Sequence, residues 1–245
     1  SRGIGRAIAQ RLAREGARVV ICARDPEKLK STSQEIEREG GKAAAHAADL
    51  RLADAPAGLA DFAMRTYGQI DIVVNNAGAT KSGEFLSFTD EDWADGFALK
   101  FYSAMRLTRD TWPHLKATSG SVANVIGAGG RMPGPAFAIG GSVNAALLSL
   151  TKALSDVGIR DGVQVNAINP GNVRTDRFQH RLNAHMAQHG VDAATAERQI
   201  IAAAKTTRIG EPEDIAALVA FVVSPEGRFL QGSLIDMDGG ATKVI

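Results

Sequence analysis

The chain's 245 residues are enough for one large α/β domain or two small ones with a proper core. Its 28 Lys and Arg nearly cancel its 27 Asp and Glu, so the net charge of +1 gives no general electrostatic case for nucleic acid or an anionic membrane as partner. A single cysteine excludes an internal disulfide framework and an all-thiolate zinc site, and fits a reducing compartment. No apolar run approaches the roughly 18–20 residues of a membrane span and no signal-peptide pattern is visible, so a cytoplasmic location is expected.

Short apolar runs alternate with longer helical patterns along the whole chain. Ile4, Ile8 and Leu12 recur at i, i+4 and i+8 ahead of Gly16, which predicts a helix over 4–15. The run 17–23 has the length of a strand. Pro26 opens a charged helix to about Glu39, stopped by Gly40 and Gly41. A weaker strand over 42–48, a helix over 53–67 and a β-branched strand over 70–75 follow. A long helix is expected over 90–116, a strand over 121–126, a helix over 142–157 and a strand over 163–168. A polar, helix-prone insertion covers 177–204. A helix over 213–223 and a strand over 233–237 complete the series. No linker or repeat divides the sequence, so residues 1–245 read as one domain. Strands without period-2 alternation, separated by helices, imply a parallel sheet covered on both faces, doubly wound, with ligands at the carboxyl ends of its strands.

The chemistry-bearing segments fall at those ends. Gly3-x-Gly5 leads straight into a helix, a turn that presents backbone N–H groups and a helix N-terminus to a pyrophosphate. Alone it also suits an ordinary tight turn. Asp49-Leu50, Asn75-Asn76-Ala77-Gly78, Asn169-Pro170-Gly171-Asn172-Val173-Arg174-Thr175 and Asp238-Gly239-Gly240 each follow a predicted strand. With Ser1-Arg2-Gly3-Ile4-Gly5 and the set Arg208, Gly210, Pro212-Glu213-Asp214, they resemble the short-chain dehydrogenase/reductase family over essentially the whole chain.

That resemblance implies a Rossmann fold with a seven-stranded parallel sheet that binds NAD(H) or NADP(H). It implies that Ser1, Arg2, Gly3, Ile4 and Gly5 hold the pyrophosphate, that Asp49 and Leu50 flank the adenine, and that Asn76, Ala77 and Gly78 line the adenosine side. Pro170, Gly171, Val173 and Thr175 would hold the nicotinamide. Asn75–Gly78 also reads as a tie between strand ends, and Asp238-Gly239-Gly240 as a turn. After the second strand of such a fold an acidic residue would favour a free ribose 2′-hydroxyl. Here Arg24 stands there, and with Arg2 it favours NADP(H) over NAD(H), since a guanidinium fork matches a phosphate; Asp25 next door weighs slightly against this.

The usual catalytic set of the family, Ser, Tyr and Lys with an Asn from the long helix, has no counterpart. The register of Ala145-Ala146-Leu147 and Leu150–Leu154 puts Asn144 at the Lys position, Gly140 at the Tyr and Gly127 at the Ser. Counting from Trp93 puts Lys100 at the Asn. The only tyrosines are Tyr67 and Tyr102, and no serine lies between Ser121 and Ser142, so no shift of register restores the set. Two readings stay open. In one the chain is an oxidoreductase moving a hydride to or from a carbonyl or alcohol, with Lys100 supplying charge or a proton and Asn144 holding the nicotinamide ribose. Gly127, Gly129, Gly130 and Gly140 would then leave room for a larger substrate or ordered water, and Arg131 could anchor an acidic one. In the other it is a non-catalytic NADP(H)-binding or regulatory protein. For Lys100 and Arg131 the plain alternative is a solvated or ion-paired side chain.

Met132-Pro133 and Phe137 read as pocket lining. His180, His185 and His189 sit in 177–204, where the family keeps a substrate lid; no third ligand is spaced for a metal, and none is expected. Cys22 reads as a small core residue. The apolar stretches 97–107 and 145–150 suit the twofold packing of the family, so a dimer or tetramer acting on a small molecule is expected. Because the strand that normally precedes the glycine turn is central in the sheet, the natural protein is expected to carry roughly ten or more residues before Ser1.

Overall fold

The computed structural model describes residues 1–244. Helix α1 (Gly3–Arg14) is followed by β1 (Arg18–Ala23), α2 (Pro26–Arg38), β2 (Lys42–Ala47), α3 (Ala55–Tyr67) and β3 (Ile72–Asn75). Then come α4 (Asp90–Phe97), a π-helical turn (Ala98–Tyr102), α5 (Ser103–Thr118), β4 (Ser121–Val125), α6 (Ala138–Asp161) and β5 (Gln164–Pro170). Helices α7 (Asp176–His189), α8 (Ala193–Ala204) and α9 (Pro212–Val223) precede β6 (Leu234–Met237). All strand pairs are parallel, and the α/β Rossmann-like class follows.

The caps explain several boundaries. Asp25 accepts from the Lys28 amide at 3.1 Å with Pro26 at the first turn of α2, and Thr89 and Asp92 close a reciprocal capping box on α4. Every residue of β4 and β5 is buried, so period 2 decides only which layer each side chain meets. Ala123, Val125 and Ile168 pack with Ala7, Ile8 and Leu12 of α1 and Ile215 and Val219 of α9. Val122 and Val165 turn the other way, onto Ala60 of α3 and Leu115 of α5. Burying each of the Val, Leu and Ile side chains stabilises by about 1.5–3 kcal/mol, and the sheet is thereby clamped between two helical layers.

The long helical stretch expected over 90–116 is present as one continuous run of α4, the π turn and α5, and the π turn carries Lys100. One expectation is extended: helix α6 runs beyond 142–157, from Ala138 to Asp161, with Gly162 as its left-handed C-cap. It is also apolar and long enough to meet a spanning criterion, but its buried face packs on β5 as a core helix.

The described residues form six strands in two sheets, β1-β2 and β3-β4-β5-β6. Between the free edges of β1 and β3 lies an apolar slot of about 330 Å³, roofed by α1 on one side and by α3 and α5 on the other.

Candidate active site

The loops after β1, β3, β4 and β5 converge at the carboxyl edge of the sheets. At the start of α1, Arg2 is the N-cap residue without a side-chain cap, and the first turn carries no acid. Its leading amides are therefore free to meet an anion, as a helix N-terminus favours. Gly5 abuts Asn76: a Cβ there would lie 2.6 Å from Asn76 Nδ2. Only glycine permits that approach. Asn76 thus stands against the turn, whereas Asn75 is a structural tie, donating to Thr108 Oγ1 at 3.0 Å and Asn124 Oδ1 at 2.8 Å. The uncapped turn fits a dinucleotide phosphate.

The remaining nucleotide-side residues are placed as follows. Arg24 is exposed and has no carboxylate partner among the described residues. Asp25 is turned away from it into the cap of α2, where Lys28 Nζ lies at 2.9 Å, and this partner holds its carboxyl below the usual range. Arg2 reaches Asp176 at 3.2 Å, a pair largely open to solvent and correspondingly weak. Asp49 is engaged by the side chain of Arg51, which also pairs with Asp95 at 2.7 Å; Leu50 is half-buried beside the slot. Ala77 is exposed and Gly78 half-buried after β3.

On the nicotinamide side, a Cβ on Gly171 would lie 2.8 Å from Asp238 Cα, so the Pro170-Gly171 bend is seated on the Asp238 turn. Asp238 itself accepts from the Gly240 and Thr242 amides at 2.9 and 2.7 Å. Val173 is buried and bridges to Gly210, and Thr175 caps α7 while its methyl faces Gly3.

At the centre, Lys100 and Asn144 reach consecutive carbonyls at the end of β4. Lys100 Nζ donates to Ile126 O at 2.5 Å, and Asn144 Nδ2 to Gly127 O at 3.4 Å. Lys100 retains partial exposure, yet burial of its ammonium, with a smaller contribution from the charge of Arg177, pushes its pKa down to about 7. Asn144 is buried and its Oδ1 has no donor. Such an orphan acceptor calls for a donor from outside the chain.

Three expectations meet corrections here. The room expected at Gly129 and Gly140 is filled by Phe137, whose ring would stand 2.1 Å from a Cβ on residue 140 and 2.8 Å from one on residue 129. Arg131 is not free to anchor a substrate, because Asp236 of β6 holds it at 2.6 Å. Cys22 is half-buried on the slot rather than enclosed in the core, and burial pushes its thiol up to about 11, away from reactivity. His185 and His189 stack at 4.3 Å on α7, with His185 bonded to Gln199, and no cluster of metal-ligating residues occurs among the described residues. Arg177, which the residue patterns did not single out, donates to Gly78 O at 3.2 Å.

A family model described as enoyl-(acyl carrier protein) reductase matches residues 1–242. The short chain dehydrogenase/reductase nsrJ of Aspergillus novofumigatus is 33% identical over 98% of this chain and 92% of its own length. L-sorbose reductase of Gluconobacter frateurii, solved with NADPH and L-sorbose, superposes with a TM-score of 0.95 at 27% identity, covering 100% of this chain and 94% of that one. An NADPH-bound short chain oxidoreductase of Pseudomonas aeruginosa, described as containing an atypical catalytic center, superposes at 0.90 with 28% identity, covering 99% and 94%. The fold and these matches define an NAD(P)-dependent oxidoreductase class. The chain belongs to the short-chain dehydrogenase/reductase family.

Proposed function

We propose that the protein is an NADP(H)-dependent oxidoreductase acting on a carbonyl/alcohol pair, with Lys100 as the proton-transferring residue of a rebuilt site. The observation that carries this reading is the Lys100 ammonium, enclosed at the end of β4 with a pKa near 7. When bound, the dinucleotide supplies or takes the hydride. The uncapped turn Arg2–Gly5 holds its pyrophosphate, and exposed Arg24 holds the 2′-phosphate. Asn144 offers its unpaired Oδ1 to a ribose hydroxyl, while Pro170, Gly171, Val173 and Thr175 form the wall on the nicotinamide side. Lys100 gives a proton to the carbonyl oxygen as the alcohol forms: one N–H bond breaks, one O–H bond forms, and the amine recovers a proton from water. Helices α7 and α8 serve as the lid, and a homo-oligomer completes the assembly.

The NADPH-bound neighbours support the cofactor side of this reading, and the one described as having an atypical centre shows that the fold accommodates a changed site. NADPH oxidation against a panel of aldehydes, ketones, quinones and enones tests it, with Lys100→Ala alongside. Turnover of at least one carbonyl, lost in the variant, is expected; NADPH binding without any turnover contradicts it. Arg24→Asp should weaken NADPH binding at least tenfold in a fluorescence titration while affecting NADH little. Equal NADPH affinity would remove the 2′-phosphate assignment.

A further inference from the structure

Two cations meet on one residue of the site. The aliphatic stem of Lys100 packs on Gly78, where a Cβ would stand 2.9 Å from its Cδ and 3.3 Å from its Cε. Arg177 at the start of α7 donates to the Gly78 carbonyl at 3.2 Å. Several other arginines around the site are neutralised: Arg2 by Asp176, Arg51 by Asp49 and Asp95, Arg131 by Asp236, and Arg174 by Glu197 and Glu211. Lys100 and Arg177 have no carboxylate within ion-pair distance among the described residues. Their fields also act on each other, since Arg177 is the one charged residue that depresses Lys100. Like charges held together without a counter-ion are costly, and a bound anion relieves that cost.

We propose that the substrate is a short oxo acid, with its carbonyl oxygen at Lys100 and its carboxylate held by the Arg177 guanidinium. This deepens the carbonyl reading above and rests on it. Both cations adjoin Gly78, so the acid group stands within a few bonds of the carbonyl, as in a 2-oxo or 3-oxo carboxylate. A guanidinium fork matches a carboxylate with two parallel N–H···O bonds, and Arg177 lies on the element that covers the site. The same contact makes Arg177 a specificity residue, while the proton still moves at Lys100.

The test compares 2-oxobutyrate and acetoacetate with their ethyl esters as substrates in the presence of NADPH, for the wild type and Arg177→Met. The wild type is expected to favour acid over ester in kcat/KM by at least tenfold, and Arg177→Met to abolish that preference mainly through KM. NADPH affinity of the variant, read by fluorescence titration, should stay within threefold of wild type. Ester preference in the wild type, or an acid preference that survives Arg177→Met, overturns the proposal while leaving a carbonyl reductase. Loss of NADPH affinity together with turnover also overturns it, assigning Arg177 to the cofactor. Calorimetry of oxamate and malonate with the enzyme–NADP⁺ complex separates the two readings. If no carbonyl is reduced, oxamate or malonate binding that needs Arg177 still supports the anion site, and its absence overturns both.

Discussion

Desolvation of an ammonium and the nearby charge of Arg177 act on Lys100 in the same direction, toward the neutral amine. A lysine with a pKa of about 7 exchanges its proton at neutral pH, where an ordinary lysine stays charged. The family resemblance made this residue legible, since counting from Trp93 puts Lys100 at the position of the family's helix Asn. Its chemistry was not legible, because it depends on Ile126, 26 residues away, and on the enclosure around it. Arg131 and Arg177 show the same limit in reverse. Both are loop or helix-start arginines in the sequence, and only the fold shows that Asp236, 105 residues beyond Arg131, pairs with the one while the other donates to the Gly78 carbonyl. Local pattern carries residue type; it does not carry the partner.

At the scale of elements, the order and type of helices and strands followed from periodicity and punctuation, since Gly, Pro and Asp caps act locally. The π turn did not, because one inserted residue's worth of slack in a helix leaves no mark in hydrophobic spacing. That turn is where the site needs it, carrying Lys100 against the end of β4. The loop between β4 and α6 was misjudged for a different reason. A run of glycines reads as open space, yet Phe137 swings into it at the start of α6. Restoring a tyrosine at position 140 should therefore fail in this background. Gly140→Tyr is expected to cost about 1–3 kcal/mol in urea unfolding through overpacking, with most of the loss recovered when Phe137→Ala is added. Additive losses in the double variant would show that Phe137 does not occupy that space.

For the whole molecule, the parallel arrangement and its two helical layers were legible because strand runs without period-2 alternation are separated by helices, a pattern that requires cover on both faces. Global stability should also register the site. Between pH 7 and about 10.5 the folded protein has released the Lys100 proton while the unfolded chain keeps it, so the unfolded state binds more protons and this residue's contribution to stability rises with pH. Below pH 7 the cost of holding the charge is fully present. Lys100→Met should accordingly be more stable than wild type at pH 6, on the order of 2–4 kcal/mol, with the gap closing toward pH 10 in parallel denaturant titrations. A gap independent of pH would mean that the ammonium is freely solvated.

The central claim is that Lys100 supplies the proton, and the pH dependence of single-turnover carbonyl reduction by bound NADPH addresses it most directly. The rate should be level in mild acid and fall about tenfold per pH unit above the Lys100 pKa, with the reverse reaction showing the mirror dependence. Lys100→Met should slow reduction by about 10²–10⁴-fold and erase that limb. A variant that reduces the same substrate at the wild-type rate, or that keeps the limb near pH 7, would contradict the claim.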